Sequence, residues 1–120
     1  MPTIENIVNK IELHDSILNS LKVNGDGSLE LDIDFDEVWN KDLGKNIKGI
    51  IFNSVFEISE FKIDRLNVIG SVEFETINGY NKEFVTNCEE ESEAVVMVSM
   101  EFVAGGNLTI VCANSAEYLK

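Results

Sequence analysis

Apolar and polar residues alternate along most of this chain, and a period of two residues predicts β-strands. The clearest run covers residues 29–36, whose odd-numbered positions are all apolar: Leu29, Leu31, Ile33 and Phe35. An earlier run, residues 17–23, has Ile17, Leu21 and Val23 on one parity, with Asn19 interrupting the pattern. Residues 24–28, which join the two runs, read Asn-Gly-Asp-Gly-Ser, and these residue types tolerate positive φ. The two runs therefore predict a β-hairpin.

The same alternation predicts further strands downstream. Residues 50–58 predict one continuous strand, with one side formed by Ile50, Phe52, Ser54, Phe56 and Ile58. Residues 61–77 predict a strand or a pair of strands, in which Gly70 marks a bulge or a bend. Residues 94–112 predict a second hairpin that turns at two consecutive glycines, with inward-pointing Val96, Val98, Met100 and Phe102. Residues 113–120 are predicted to form a polar tail.

Residues 3–11 have helical spacing, because one helical face collects Ile4, Ile7, Val8 and Ile11. Thr3 is suited to cap this helix, and Glu5 favours its first turn. Several short strands with one helix predict an α+β fold that is mainly antiparallel β. We expect a sandwich or a partly open barrel with one short N-terminal helix. With no linker or repeat, the 120 residues are expected to form a single domain, residues 1–120.

The charge of the chain limits its partners. It has 22 acidic and 9 basic side chains, which gives a net charge of −13, and its one arginine is Arg65. Affinity for nucleic acids depends largely on Lys and Arg that neutralise phosphates, and anionic membranes repel an acidic surface. We therefore expect neither nucleic acid nor a membrane as a partner, whereas a basic protein is compatible with the charge.

The chain begins Met1-Pro2-Thr3 with no basic segment or long apolar run behind it, and its two cysteines are Cys88 and Cys112. These features predict no signal peptide, no membrane span, a cytoplasmic location and reduced thiols.

The first candidate site is a stripe of carboxylates in residues 29–36. Because the apolar residues there are odd-numbered, the opposite face of the strand carries Glu30, Asp32, Asp34 and Asp36. Successive carboxylates would lie about 6.5–7 Å apart and repel one another. A basic partner would relieve this repulsion, which makes the stripe a hypothetical docking surface. The alternative is an ordinary solvated face, partly compensated by Lys22.

Two other features of the sequence are candidate partner-binding elements. Trp39 lies in a polar connection, where a tryptophan either anchors an interface or folds back over the end of a sheet. An acidic run contains Glu89, Glu90 and Glu91. We include both in the hypothetical partner-binding set.

The second candidate site is His14-Asp15-Ser16, which contains the one histidine of the chain. A His–Asp pair could serve metal binding or acid–base chemistry. Adjacent residues of a strand point to opposite faces, however, and there is no second histidine to complete a metal-dependent phosphohydrolase site. The structural alternative is that Asp15 or Ser16 bonds the backbone where the helix gives way to the first strand.

Other chemistries fit the sequence poorly. The segment Asn24–Ser28 resembles the middle of a calcium loop, but alignment places Lys22 and Ile33 where that loop needs carboxylates. Cys88, Cys112 and His14 have no metal-ligand spacing and no context for a nucleophile. We therefore predict no metal, no cofactor and no catalytic residues.

One part of the chain resembles known proteins. The helix, Leu13-His14-Asp15-Ser16 and the strands that follow, residues 5–35, together with the strand Ile50–Phe56, resemble small bacterial β-rich proteins with a His-Asp-Ser start. Some of those are uncharacterised, and some resemble immunity proteins of polymorphic toxin systems. The resemblance implies a cytoplasmic protein that binds and neutralises a toxin without catalysis.

Three functions follow as hypotheses. The leading one is a non-catalytic acidic protein-binding module, in particular a toxin-neutralising immunity-type protein. The second is a small-ligand-binding or enzymatic β-barrel that uses His14 with interior polar groups such as Asn19 and Ser54. The third is a structural homo-oligomer, such as a homodimer, whose edge strands pair.

Overall fold

The computed structural model describes residues 3–8, 10–38, 40, 46–62, 67–77 and 95–120. In chain order, the described elements are α1 (Ile4–Val8), β1 (Ile17–Val23), β2 (Leu29–Asp34), β3 (Gly49–Phe52), β4 (Val55–Lys62), β5 (Ile69–Ile77), β6 (Val95–Phe102), β7 (Asn107–Ala113) and β8 (Ala116–Leu119).

The strands form two antiparallel sheets. The first has the order β1-β2-β3-β8 and the second has the order β4-β7-β6-β5. Buried side chains from both sheets and from α1 belong to one hydrophobic cluster. The sheets do not close into a barrel, so the prediction of a mainly antiparallel α+β sandwich or open barrel is confirmed.

The β1–β2 hairpin is held by its turn. Oδ1 of Asp26 accepts hydrogen bonds from the Ser28 backbone N at 2.9 Å and from the Ser28 hydroxyl at 2.7 Å. These two bonds hold the pKa of Asp26 below its usual value. Gly27 adopts a φ of 89°, which a side chain would disfavour. The segment is therefore a hairpin turn, and its carboxylate caps the turn backbone.

The predicted parity of β1 is correct for Leu21 and Val23 but wrong before Asn19. Leu18 pairs with Ile33, but the next matched pair is Ser20 with Asp32, so Asn19 is an extra residue in the ladder. This bulge brings Leu18, 4% exposed, to the core in place of Ile17. After the bulge, Leu21 pairs with the buried Leu31, and Val23 pairs with the buried Leu29. A bulge inserts one residue and so exchanges the faces of the strand.

The second sheet follows the prediction more closely. Inward-pointing residues of β6 are buried as expected: Val96, Val98, Met100 and Phe102. The β6–β7 turn contains Gly105 at a φ of 104°. The β5–β6 register shifts between Ile69 and Ser71, so Gly70 marks a bulge as predicted.

Two expectations about the strands are wrong. The run of residues 50–58 is not one strand, because β3 belongs to the first sheet and β4 to the second. Residues 113–120 are not a polar tail, because β8 pairs with β3. Both chain segments cross between the sheets side by side: Ala113 N donates to Ser54 O at 2.8 Å, and Asn53 N donates to Ser115 O at 3.1 Å. Alternation continues through the crossing, which is why the sequence pattern did not reveal it.

The helix is shorter than its apolar spacing predicts. It ends at Val8, yet Ile11 is 8% exposed and Leu13 is 4% exposed. Thr3 acts as the predicted cap, because its Oγ1 accepts a hydrogen bond from Asn6 N at 3.2 Å. The N–H of Ile4 donates to Oδ1 of Asn114 at 3.0 Å, which ties the helix to the β7–β8 connection.

Candidate protein-binding surface

Strand β2 divides into a buried side and a charged side. Leu29, Leu31 and Ile33 are buried at 1%, 0% and 3% exposure. Glu30 and Asp32, on the other face, are partly exposed, and Asp34 is exposed. The predicted arrangement of these three carboxylates on the outer face of the first sheet is therefore present.

The neighbouring strands extend this surface. Glu30 lies in a cross-strand row with Lys22, Ile51 and Glu117, and Asp32 lies in the next row with Ser20, Gly49 and Leu119. We call the surface formed by Glu30, Asp32, Asp34, Ile51, Glu117 and Leu119 the acidic face. Glu117 and Leu119 were not predicted because they lie in β8, a segment expected to be a tail, and Ile51 was not predicted because its position depends on the pairing of β3 with β2. Apolar residues within Ala116–Leu119 are a local signal for a strand there, whereas no local signal indicates the position of Ile51.

The carboxylates of the acidic face differ in their partners. Glu30 Oε2 lies 3.9 Å from Lys22 Nζ and accepts a hydrogen bond from Asn24 Nδ2 at 3.1 Å. Within the described residues, the carboxylates of Asp32 and Asp34 form neither a hydrogen bond nor an ion pair. Charge at this end of the stripe is therefore uncompensated by the described part of the chain, and a cation can approach it without displacing a partner.

Asp36 belongs to a turn beyond the end of β2. Its Oδ1 accepts a hydrogen bond from Val38 N at 2.9 Å, and its carbonyl accepts one from Asn40 Nδ2 at 2.9 Å. Asn40 also bonds both backbone groups of Glu12, which clamps the turn to the segment before β1. We therefore leave Asp36 out of the acidic face.

His14 and Asp15 form a contact that the sequence did not predict. His14 Nδ1 lies 3.2 Å from Asp15 Oδ2, and their side chains are 51% and 45% exposed. The expectation that they point apart assumed a strand, but the segment is a turn in which Asp15 adopts a φ of 68°. Asp tolerates this left-handed region better than most residues.

Ser16 has a structural role. It is 0% exposed, and its Oγ accepts a hydrogen bond from Asp36 N at 3.0 Å. Its backbone carbonyl accepts a bond from Ile69 N at 2.7 Å, and Asp15 N donates to Ile69 O at 2.9 Å. The motif thus joins the start of β1, the turn after β2 and the start of β5, in agreement with the structural alternative.

The motif gives the first testable prediction. Ser16→Ala removes the buried hydroxyl that accepts from Asp36 N and is expected to lower the free energy of unfolding by about 1–3 kcal/mol. His14→Ala, in the same motif, removes an exposed side chain and is expected to change it by less than about 0.5 kcal/mol. Urea denaturation followed by circular dichroism measures both. Equal losses for the two variants would contradict this division of roles.

The remaining candidates contribute little to a site. Cys112 is 0% exposed, and burial raises the pKa of its thiol to about 12, so it remains a protonated packing residue. Asn19 and Ser54 are exposed, so the interior polar groups expected of a ligand-binding barrel are not interior. Outside the described residues lie Trp39, Cys88, Glu89, Glu90 and Glu91.

The described residues form neither a group of metal ligands nor a helix that could span a membrane. Among the residues that the structure describes, no three or more His, Cys, Asp or Glu side chains are grouped to hold a metal ion. In the same part of the chain, no helix combines the length and hydrophobicity that crossing a membrane requires.

Comparison with known proteins does not indicate a function for this chain, so a function has to be inferred from the acidic face. The chain matches no protein-family model, and no curated protein or solved structure is significantly similar to it.

Proposed function

We propose that this protein is a non-catalytic binding module that uses the acidic face to hold a basic protein partner. The observation that carries the proposal is the pair Asp32 and Asp34, whose carboxylates have no partner among the described residues. Two like charges on alternate residues of one strand, about 6.5–7 Å apart, repel each other in the free protein. A partner's Lys or Arg would remove this repulsion on binding.

The composition of the acidic face also supports a protein partner. Ile51 and Leu119 are half-buried apolar side chains. Ile51 lies between Glu30 and Glu117 in one row, and Leu119 lies in the next row, where Gly49 separates it from Asp32. Interfaces typically combine a small apolar centre with a polar rim. The charges would steer the encounter and set specificity, while the apolar residues would supply contact area.

The class of partner follows from charge and from the resemblance of residues 5–35. A net charge of −13 favours a strongly basic partner, and proteins that bind or cut nucleic acids carry such surfaces. The resemblance to immunity-type proteins makes a toxin of this kind the partner to test first. In this proposal the chain masks the basic cleft of the toxin and carries out no chemistry.

The first partner to test is the protein encoded by the reading frame next to this gene in the source genome, which we call the neighbouring product. Co-expression of the two proteins is expected to restore growth that the neighbouring product alone inhibits. Purified protein is expected to bind that product at low salt and to release it near 1 M salt, where the Debye length falls to about 3 Å. Binding that does not weaken with salt would contradict a charge-driven interface.

The double variant Asp32→Asn/Asp34→Asn tests the acidic face itself. We expect about tenfold weaker binding of the partner in 0.1 M salt, mainly through a slower association rate. The control is Glu57→Gln/Glu60→Gln on β4, which changes the net charge equally but lies on the other sheet. Surface plasmon resonance measures both. If the control weakens binding as much as the test variant, net charge rather than the acidic face is responsible.

A further inference from the structure

Strand β5 forms one edge of the second sheet. Among the described strands it pairs with β6 alone, and its register with β6 is continuous from Ser71 to Ile77. Ile69, at its start, is bonded to Asp15 and Ser16, so the open part of the edge begins after the bulge at Gly70. An edge strand presents backbone N–H and C=O groups that can pair with another extended chain.

The opposite edge of the same sheet is less suited to pairing. The register of β4 with β7 shifts twice, once between Val55 and Glu57 and once between Ile58 and Glu60. Bulges of this kind bend an edge strand and interrupt its row of backbone groups. The long regular edge of the described second sheet is therefore β5.

The side chains of β5 define the chemistry of this edge. Glu73 and Glu75 are exposed on the outer face, and Phe74, on the other face, is 36% exposed. A surface depression of ≈ 390 Å³ follows the strand and is lined by Val72, Glu73, Phe74, Glu75, Met97 and Ser99. The edge thus offers two carboxylates, an aromatic ring and a row of backbone groups that pair with no other described strand.

We propose that β5 accepts an extended segment of a basic partner protein as an additional strand, with Lys or Arg opposite Glu73 and Glu75. Backbone pairing supplies affinity in this mode, and alternate side chains supply specificity. Opposite charges facing each other across two strands stabilise the pairing, and apolar residues of the same segment would lie on the side of Phe74. This surface lies on the second sheet and the acidic face on the first, and the proposal for β5 does not depend on the proposal for the acidic face.

A second copy of this chain is the less favourable occupant. Antiparallel pairing of two β5 strands about Phe74 places Glu73 of each copy opposite Glu75 of the other. Parallel pairing in register places each glutamate beside itself. Like charges directly opposite each other destabilise a strand pair, so charge selects a basic segment over self-association.

The probe for this proposal is a capped heptapeptide in which lysine and valine alternate. On titration into the ¹⁵N-labelled protein, we expect shifts of the β5 amides from Ser71 to Ile77 and new protection of those that point away from β6. A peptide of the same composition with its lysines grouped at one end cannot alternate and is expected to bind more weakly at this edge. Shifts confined to Glu30–Asp34 would overturn the proposal, as would a failure of the peptide to bind.

Two variants in one cross-strand row sharpen the test. The register places Glu75 and Glu57 in the same row, at opposite edges of the second sheet. Glu75→Lys is expected to weaken peptide binding about tenfold, and Glu57→Lys, with the same charge change, to leave it unchanged. Equal effects would overturn the proposal, as would outward amides of β5 that are already protected from hydrogen exchange in the free protein. If the peptide causes no shifts in β5 while Asp32→Asn/Asp34→Asn still weakens binding of the partner, this proposal is refuted and the proposed role of the acidic face is not.

Discussion

Replacing Phe52 with alanine is expected to lower the free energy of unfolding by about 4 kcal/mol. Phe52 is 1% exposed and lies in β3 between Leu29 of β2 and Ala116 of β8. Its ring therefore fills the space above the small Ala116, and truncation leaves a cavity that the surrounding strands cannot close. Urea denaturation followed by circular dichroism gives the change in midpoint and slope.

The control for this variant is Phe61→Ala on β4. Phe61 is 47% exposed, so the same truncation removes much less buried area, and we expect a loss of about 1 kcal/mol. If the two variants lose similar stability, Phe52 does not fill the core as described. Because total stabilities of domains are about 5–15 kcal/mol, the Phe52 variant is expected to lose roughly a quarter or more of the total.

Replacing Gly49 with alanine is expected to lower the free energy of unfolding by about 3 kcal/mol. A Cβ at this position would overlap the carbonyl oxygen of Leu31, and the contacted atoms belong to the backbone of β2. Backbone cannot rotate away as a side chain can, so β2 and β3 would have to separate. The glycine is thus required by close approach of the two strands.

Gly25→Ala is the matched control, because no atom lies within 4 Å of a Cβ placed there. We expect this variant to be neutral or more stable by up to about 1 kcal/mol, since alanine restricts the unfolded chain. Thermal unfolding of the two variants should therefore move the midpoint down for Gly49→Ala and leave it unchanged or raise it for Gly25→Ala. A Gly49 variant as stable as the parent would show that the two strands can relax apart.

Gly49 also connects stability to the acidic face. It pairs with Asp32 on one side and Leu119 on the other, so a shift of β3 away from β2 would change the spacing between the carboxylates and the apolar residues of that face. If the Gly49 variant folds at low temperature, the proposed partner should bind it more weakly than it binds the Gly25 variant.

Local patterns predicted much of the fold. The alternation in residues 29–34 correctly separated a buried side from a charged side, and turn residues located both hairpins. Asp36, which was predicted to continue the charged side, lies instead in the turn after β2. The Asn19 bulge was not foreseen, because an interruption in a pattern does not reveal whether a polar residue is tolerated or the register is shifted. The predicted helix, residues 3–11, is longer than α1, because Ile11 is buried without a helical backbone.

The candidate site was predicted only in part. Glu30, Asp32 and Asp34 followed from one strand, whereas Ile51 and Glu117 come from strands far along the chain. The contact between His14 and Asp15 depends on a left-handed turn at Asp15, and the sequence predicts such conformations reliably only for glycine.

The sequence by itself determined where most of the strands form, which side of β2 and of β6 is apolar and that the chain is strongly acidic, because these depend on neighbouring residues and on composition. Only the tertiary structure decided that β3 and β4 lie in different sheets, that β8 completes the first sheet and that β5 is left at an edge. Those features depend on packing between residues distant in the chain, and a period of two is the same whichever sheet a strand joins.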